Sequence, residues 1–244
     1  MISDIVTIMW KEFRELLIQK PNFRGGWVGL LIFIAVFGIL LPFQSGRAWV
    51  ESPIGIVYWA WVPFMMVSTV IADSFAGERE RHTLETLLAS CLSDKAILYG
   101  KICAAITYGW GITLISLLLG LVTINLAYAQ GGLLMYPLDI GLSILGASFL
   151  LAALAANLGV LISLQASTIR SAQQTLGVIA LLPMILILLI PMLPSSLNMR
   201  MVTWIMTQNT SSLVYPIMAL ILVLDLILLA AAMGRFQRAR LILD

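Results

Sequence analysis

Apolar runs alternate with short polar stretches along the chain. Six runs stand out: Trp27–Phe43, Ile54–Ala72, Ile102–Tyr128, Ile140–Leu164, Leu176–Leu193 and Leu213–Gly234. A helix crossing a bilayer core takes roughly 17 to 25 apolar residues, and each run reaches that range nearly free of charge. None shows the strict alternation of a strand, which argues against a transmembrane barrel. The pattern predicts an all-α membrane protein, a single bundle of six transmembrane helices over residues 1–244. Small residues crowd the fourth run (Gly141, Gly146, Ala147, Ala152, Ala153, Ala155, Ala156 and Gly159). Such a face lets neighbouring helices approach closely and places this span at the centre of the bundle. Pro63 and Pro183 interrupt the second and fifth runs, where each removes a backbone donor and favours a kink.

Three stretches between the runs are patterned as well. The N-terminal residues 1–21 place Ile2, Ile5, Met9, Phe13, Leu16 and Leu17 at near-helical spacing, with Lys11, Arg14 and Lys20 interleaved. Ser3 or Asp4 can cap the start and Pro21 follows the end, so the segment reads as an amphipathic helix in the membrane interface. Residues 201–206, before the sixth run, are too short to span and too apolar for an ordinary loop. A short re-entrant segment satisfies that pattern. The third stretch, residues 77–92, opens with Gly77 and the alternating charges Glu78, Arg79, Glu80 and Arg81. Leu84, Leu87, Leu88 and Cys91 then share one helical face, with Glu80, Arg81 and Glu85 beside it. Arg81 and Glu85 are spaced for a helical ion pair, and Ser93 or Asp94 can cap the helix entering the third span.

Composition supports the membrane assignment. Of 244 residues, 61% are hydrophobic and 11% charged, against about a quarter charged in ordinary soluble domains. The net charge of +2 matters less than its distribution. Twelve of the 14 Lys and Arg residues fall on one side of the six-span plan and only Arg47 and Arg200 on the other. By the positive-inside rule both termini are then cytoplasmic, in a multi-pass protein of the cell membrane. Trp49, Tyr58, Trp59, Tyr128, Tyr136, Trp204 and Tyr215 are expected at the outer interface. The long charged lead before the first run makes that run an uncleaved anchor. Cys91 and Cys103 form no C-x-x-C pattern and are expected to be reduced.

Candidate chemistry is sparse. The sequence has no phosphate loop, dinucleotide fingerprint or H-E-x-x-H motif, and His82 is its only His. A His-based metal site or a Ser-His triad within one chain is thereby excluded. Basic residues track the membrane edge, so nucleic acid is not an expected partner. Asp225 lies in the middle of the sixth run, where an ionised Asp costs about 2.5 to 3.5 kcal/mol on insertion scales. It is expected to face the bundle or be neutral, with Asn157 or a hydroxyl of a neighbouring span as partner. Polar glue and a substrate or proton path both remain open for Asp225 and Asn157.

The run "GERERHTLETLL" followed by "SDKAILYGK" resembles the coupling segment of ABC transporter permeases of the type 2 exporter class. Gly77, Glu78, Arg79, Glu80, Thr83, Leu84 and Glu85 carry the likeness, with Lys95, Gly100 and Lys101 matching more loosely. "STIRSAQQTLGVIALLPM" is similar to that family's approach to the fifth span, through Ser171, Ala172, Gln173, Gln174 and Pro183. The resemblance implies a non-catalytic permease subunit, paired with a second permease chain as homodimer or heterodimer and with a separate ATP-binding cassette subunit. ATP and magnesium would then reside on that partner. It further implies a coupling helix Glu78–Ser90 continuous with the flanking spans. Leu84, Leu87 and Leu88 would seat in the ATPase, with Glu78, Arg79, Glu80, Arg81, Thr83 and Glu85 around them. Two rival readings differ in class: an ATP-independent channel or carrier using Asp225, and an intramembrane enzyme or assembly scaffold.

Overall fold

The computed structural model describes residues 1–18, 23–83, 92–129, 132–189 and 210–236. Among these the regular structure is helical, with no strand. The main helices are α1 (Ile2–Ile18), α2 (Phe23–Ala35), α3 (Leu41–Ser45), α4 (Ala48–Glu51), α5 (Ile54–Glu80), α6 (Asp94–Tyr128), α7 (Leu138–Ser163), α8 (Ile169–Leu189) and α9 (Thr210–Arg235). A π-helical turn, Val36–Leu40, joins α2 to α3. Five segments are long and apolar enough to cross a membrane: Val28–Ser45, Gly55–Glu80, Asp94–Tyr128, Leu138–Ser163 and Ser212–Arg235. The expected fifth span, Leu176–Leu193, begins within α8, and its last residues lie outside the described ones, as does the expected re-entrant segment.

Helices α5 and α7 form the centre, packed along each other. Around them α6 lies against α5 and α7, α8 against both, and α9 chiefly against α7. The small residues of α7 explain its position. Ala152, Ala155 and Ala156 are fully buried, and a Cβ added at Gly159 would collide with Cγ2 of Ile71 on α5. One turn earlier on α5, a Cβ at Gly109 of α6 would press on Val67. Polar ties supplement this packing: Trp110 Nε1 donates to Ser148 Oγ at 3.1 Å, joining α6 to α7.

Several boundaries differ from the sequence expectation. Helix α6 is 35 residues long, about 50 Å at the helical rise; it starts at the expected cap, Ser93, which accepts from the Ala96 amide at 3.3 Å, and so reaches eight residues beyond the apolar run. The first span is not a uniform α-helix. Its π-turn brings Gly38 against Leu119, and Thr123 donates to the Gly38 carbonyl at 2.9 Å. A widened turn disturbs the regular ladder, and the threonine satisfies one of its carbonyls. Trp49 and Trp59, expected at a membrane surface, are instead core residues, 5% and 0% exposed. Their rings meet edge to face at 5.7 Å, an arrangement that suits aromatic quadrupoles. Tyr58 and Tyr215 are exposed.

Close α5–α7 contact makes a specific stability prediction. Gly159→Ala should cost about 1 to 3 kcal/mol through overpacking, read as a lowered thermal midpoint of the purified protein. Ile71→Ala in the same chain should recover part of that loss by clearing the site; strictly additive destabilisation by the two changes would mean that the contact is not the cause.

Candidate functional site at the charged end of α5

The alternating charges after Gly77 begin as the last turn of α5. The helix runs to Glu80, and His82 then adopts a left-handed backbone, φ 57°. His is among the non-glycine residues that tolerate this region, and its exposed side chain fits a terminating turn. The Thr83 amide donates to the Glu78 carbonyl at 2.8 Å, closing the helix end. The helix expected to continue through Glu78 is therefore interrupted at His82. Leu84, Glu85, Leu87 and Leu88 lie outside the described residues.

Each charge before the break has a distinct partner. Glu78 is buried, 6% exposed, and its Oε1 accepts from Lys101 Nζ at 2.9 Å and Lys11 Nζ at 3.3 Å. Arg79 donates to the carbonyls of Leu164 at 2.8 Å and Ala166 at 3.0 Å, at the C-terminal end of α7. Glu80 accepts from the Ile169 amide at 3.1 Å, at the N-terminal end of α8. The signs suit the sites, because a cation is favoured where helical carbonyls end and an anion where amides begin. Arg81 reaches back to Asp73 at 2.8 Å. Gly77 makes room for this, since a Cβ there would strike Asp73 Oδ1. Charges that sequence alone places on an outward rim are thus committed within the chain.

The centre of the arrangement is Lys101, on α6, 2% exposed. Its ammonium has three donors and meets three acceptors: Glu12 Oε1 at 2.8 Å, Glu78 Oε1 at 2.9 Å and the Ser74 carbonyl at 2.9 Å. The Phe75 ring adds a face 5.2 Å away, a favourable position for a cation. Glu12 belongs to α1, so one ammonium joins α1, α5 and α6. Gly100, its neighbour, lets α1 approach: a Cβ there would overlap Ile8, itself 2% exposed. The inner face of α1 is therefore Ile5, Ile8 and Glu12, while Ile2, Val6 and Trp10 face out. Sequence periodicity found the helix but missed Glu12, whose partner is remote in the chain.

Lys11 widens the cluster, lying 3.3 Å from both Glu78 and Glu15. Burial works against its charge, but Glu78, Glu12 and Glu15 outweigh that and hold its pKa above the ordinary 10.5. A raised value in the folded state means that this contribution is complete below pH 10.5 and disappears only as pH rises beyond it.

A hydroxyl touches α5 one turn before the cluster. Ser163 Oγ accepts from the Ala76 amide at 2.8 Å and donates to the Ala72 carbonyl at 3.0 Å. Those two backbone groups are partners in a regular helix, so α7 reaches into the α5 ladder just below Glu78.

The other sequence candidates form a separate site. Asp225, 5% exposed, and Asn157, 4% exposed, meet between α9 and α7. Asn157 Nδ2 donates to Asp225 Oδ1 at 3.3 Å and to its carbonyl at 3.4 Å. Among the described residues no three His, Cys, Asp or Glu side chains come together as metal ligands. In comparisons with known proteins, the chain matches no family model and no curated protein.

Lys101 sets a measurable dependence. Lys101→Met leaves Glu12 and Glu78 with only the half-exposed Lys11 beside them and should destabilise by about 3 to 5 kcal/mol. Replacing Glu12 by Leu and Glu78 by Met in the same chain should restore most of it, as buried ion clusters can give way to apolar packing. Thermal unfolding of the three-residue and single variants checks this. Lys11→Gln, at a half-exposed position, should cost far less than Lys101→Met at neutral pH.

Proposed function

We propose that this chain is the permease subunit of an ATP-driven ABC exporter of the type 2 class, coupled to a separate ATP-binding subunit. The reading combines the resemblance of residues 77–101 and 167–184 with one observation. The charged end of α5 bonds to α1, α6 and both helix ends of the α7–α8 turn, immediately before the segment that would dock on an ATPase. Leu84, Glu85, Leu87 and Leu88 are the docking residues in this proposal. Glu78, Arg79, Glu80 and Arg81 form the frame that carries displacement into the bundle, with Thr83 at the junction. Their internal partners favour transmission over direct contact with the ATPase.

In this mechanism closure of the ATPase pair, driven by ATP and magnesium on those subunits, pushes on residues 84–91. The push reaches α5 at Glu80, and Arg79 and Glu80 turn the α7–α8 junction with it, while Lys101 carries α1 and α6. Alternating access across a six-span bundle in the cell membrane follows, with both termini cytoplasmic and a second permease chain, identical or not, completing the path. An ATP-independent carrier is the alternative, favoured by the buried Asp225–Asn157 pair; it requires transport by this chain without an ATPase.

Two variants separate docking from transmission. Leu84→Asp with Leu87→Asp should abolish co-purification of the ATPase while leaving membrane insertion intact. Arg79→Ala with Glu80→Ala should keep the ATPase bound but reduce transport at least tenfold, measured with purified components in liposomes. Retained ATPase binding in the Leu double variant would overturn the docking assignment, and transport without nucleotide would favour the carrier.

A further inference from the structure

Asp225 sits midway along α9, an otherwise apolar helix that packs chiefly against α7. Asn157 supplies its hydrogen bonds, through Nδ2, yet Asp225 Oδ2 and Asn157 Oδ1 are both buried with no donor among the described residues. No ion pair reaches Asp225 among those residues either. Where α9 meets other helices the contacts are of another kind: Tyr99 of α6 donates to Met233 Sδ, and Phe75 of α5 meets Phe236 beyond the helix end. Three side-chain acceptor oxygens and one amide nitrogen therefore share a buried site. Turning the Asn157 amide over exchanges its ends but does not change this count. Buried acceptors without donors are costly, and an ionised carboxylate away from water more so.

We propose that Asp225 and Asn157 form a proton-binding site that ties α9 to α7. One proton on Asp225 Oδ2, donated to Asn157 Oδ1, removes the charge and gives each orphaned oxygen a partner. Carboxylic acid and carboxamide then close a reciprocal pair, each donating once to the other. Loss of the proton leaves a carboxylate facing an amide carbonyl and opens that pair, so the occupant of the site governs the attachment of α9. The inference rests on α9 lying in an apolar surround and holds whether or not an ATPase drives the protein.

Infrared spectroscopy of the purified chain in lipid nanodiscs tests this directly. At neutral pH the wild type should show a carboxylic-acid carbonyl band above the amide bands, shifted downward in deuterium oxide and missing in Asp225→Asn. The Asn variant carries a donor in place of the proton and should unfold within a few degrees of the wild type. Asp225→Leu, which loses the pair, should unfold at a clearly lower temperature. Absence of the band in the wild type, or its persistence in Asp225→Asn, would overturn the proposal. So would stabilisation of the wild type by sodium chloride but not choline chloride, together with loss of that effect in Asp225→Asn: the oxygens would then serve a metal cation.

Discussion

A buried ammonium cannot be left unpaired, and the charged end of this bundle is arranged around that constraint. Lys101 is enclosed, so each of its three protons must find an acceptor within the protein. The three acceptors come from α1 and α5, while the lysine itself is on α6. The cost of separating any one of them exceeds that of breaking an exposed pair several-fold. Helix α1 is therefore more than a strip resting on a membrane surface: it is fastened to the bundle through Glu12, at the point where Gly100 lets Ile8 in.

The neighbouring charges follow the same physics with a different partner. Helix ends expose carbonyls or amides that need satisfying, and the turn between α7 and α8 presents one kind followed by the other. Arg79 and Glu80, adjacent in sequence and opposite in sign, address the two in order. An alternating charge run is usually a solvated helical face, and such a face tolerates exchange of signs. Here exchange of Arg79 and Glu80 would put each charge against the wrong helix end. Order within the run, not only its net charge, carries the structural information.

Much of the fold was legible because it depends on local composition. The apolar runs located the long helices, the small residues of α7 located the centre, and Ser93 marked the start of α6. The Asp225–Asn157 pair was also accessible, since a carboxylate inside an apolar run demands a polar partner and few were on offer. The Lys101 cluster was not. Glu12 and Lys101 look ordinary in their own segments, and only the packing of α1 on α6 brings them together across 89 positions. The resemblance places Glu78 on an outward rim, whereas α5 runs through it and the packing of α1 and α6 turns that carboxylate inward. The π-turn at Gly38 has no local sequence mark and is stabilised by Thr123, remote in the chain.

The two polar ties in the bundle solve one problem in different ways because their surroundings differ. At the charged end, two carboxylates and a backbone carbonyl neutralise and bond Lys101, and Lys11, half exposed, connects the cluster to solvent. Full charges are sustainable there because partners of opposite sign are abundant. Midway along α9 there is one carboxyl group and one amide, and no cation among the described residues meets them. The ionic tie gains its strength from opposite charges, whereas a tie closed by one proton has a strength that depends on its occupant. A bundle fastened by both can hold α1, α5 and α6 as a rigid frame while the attachment of α9 depends on whether its site holds a proton.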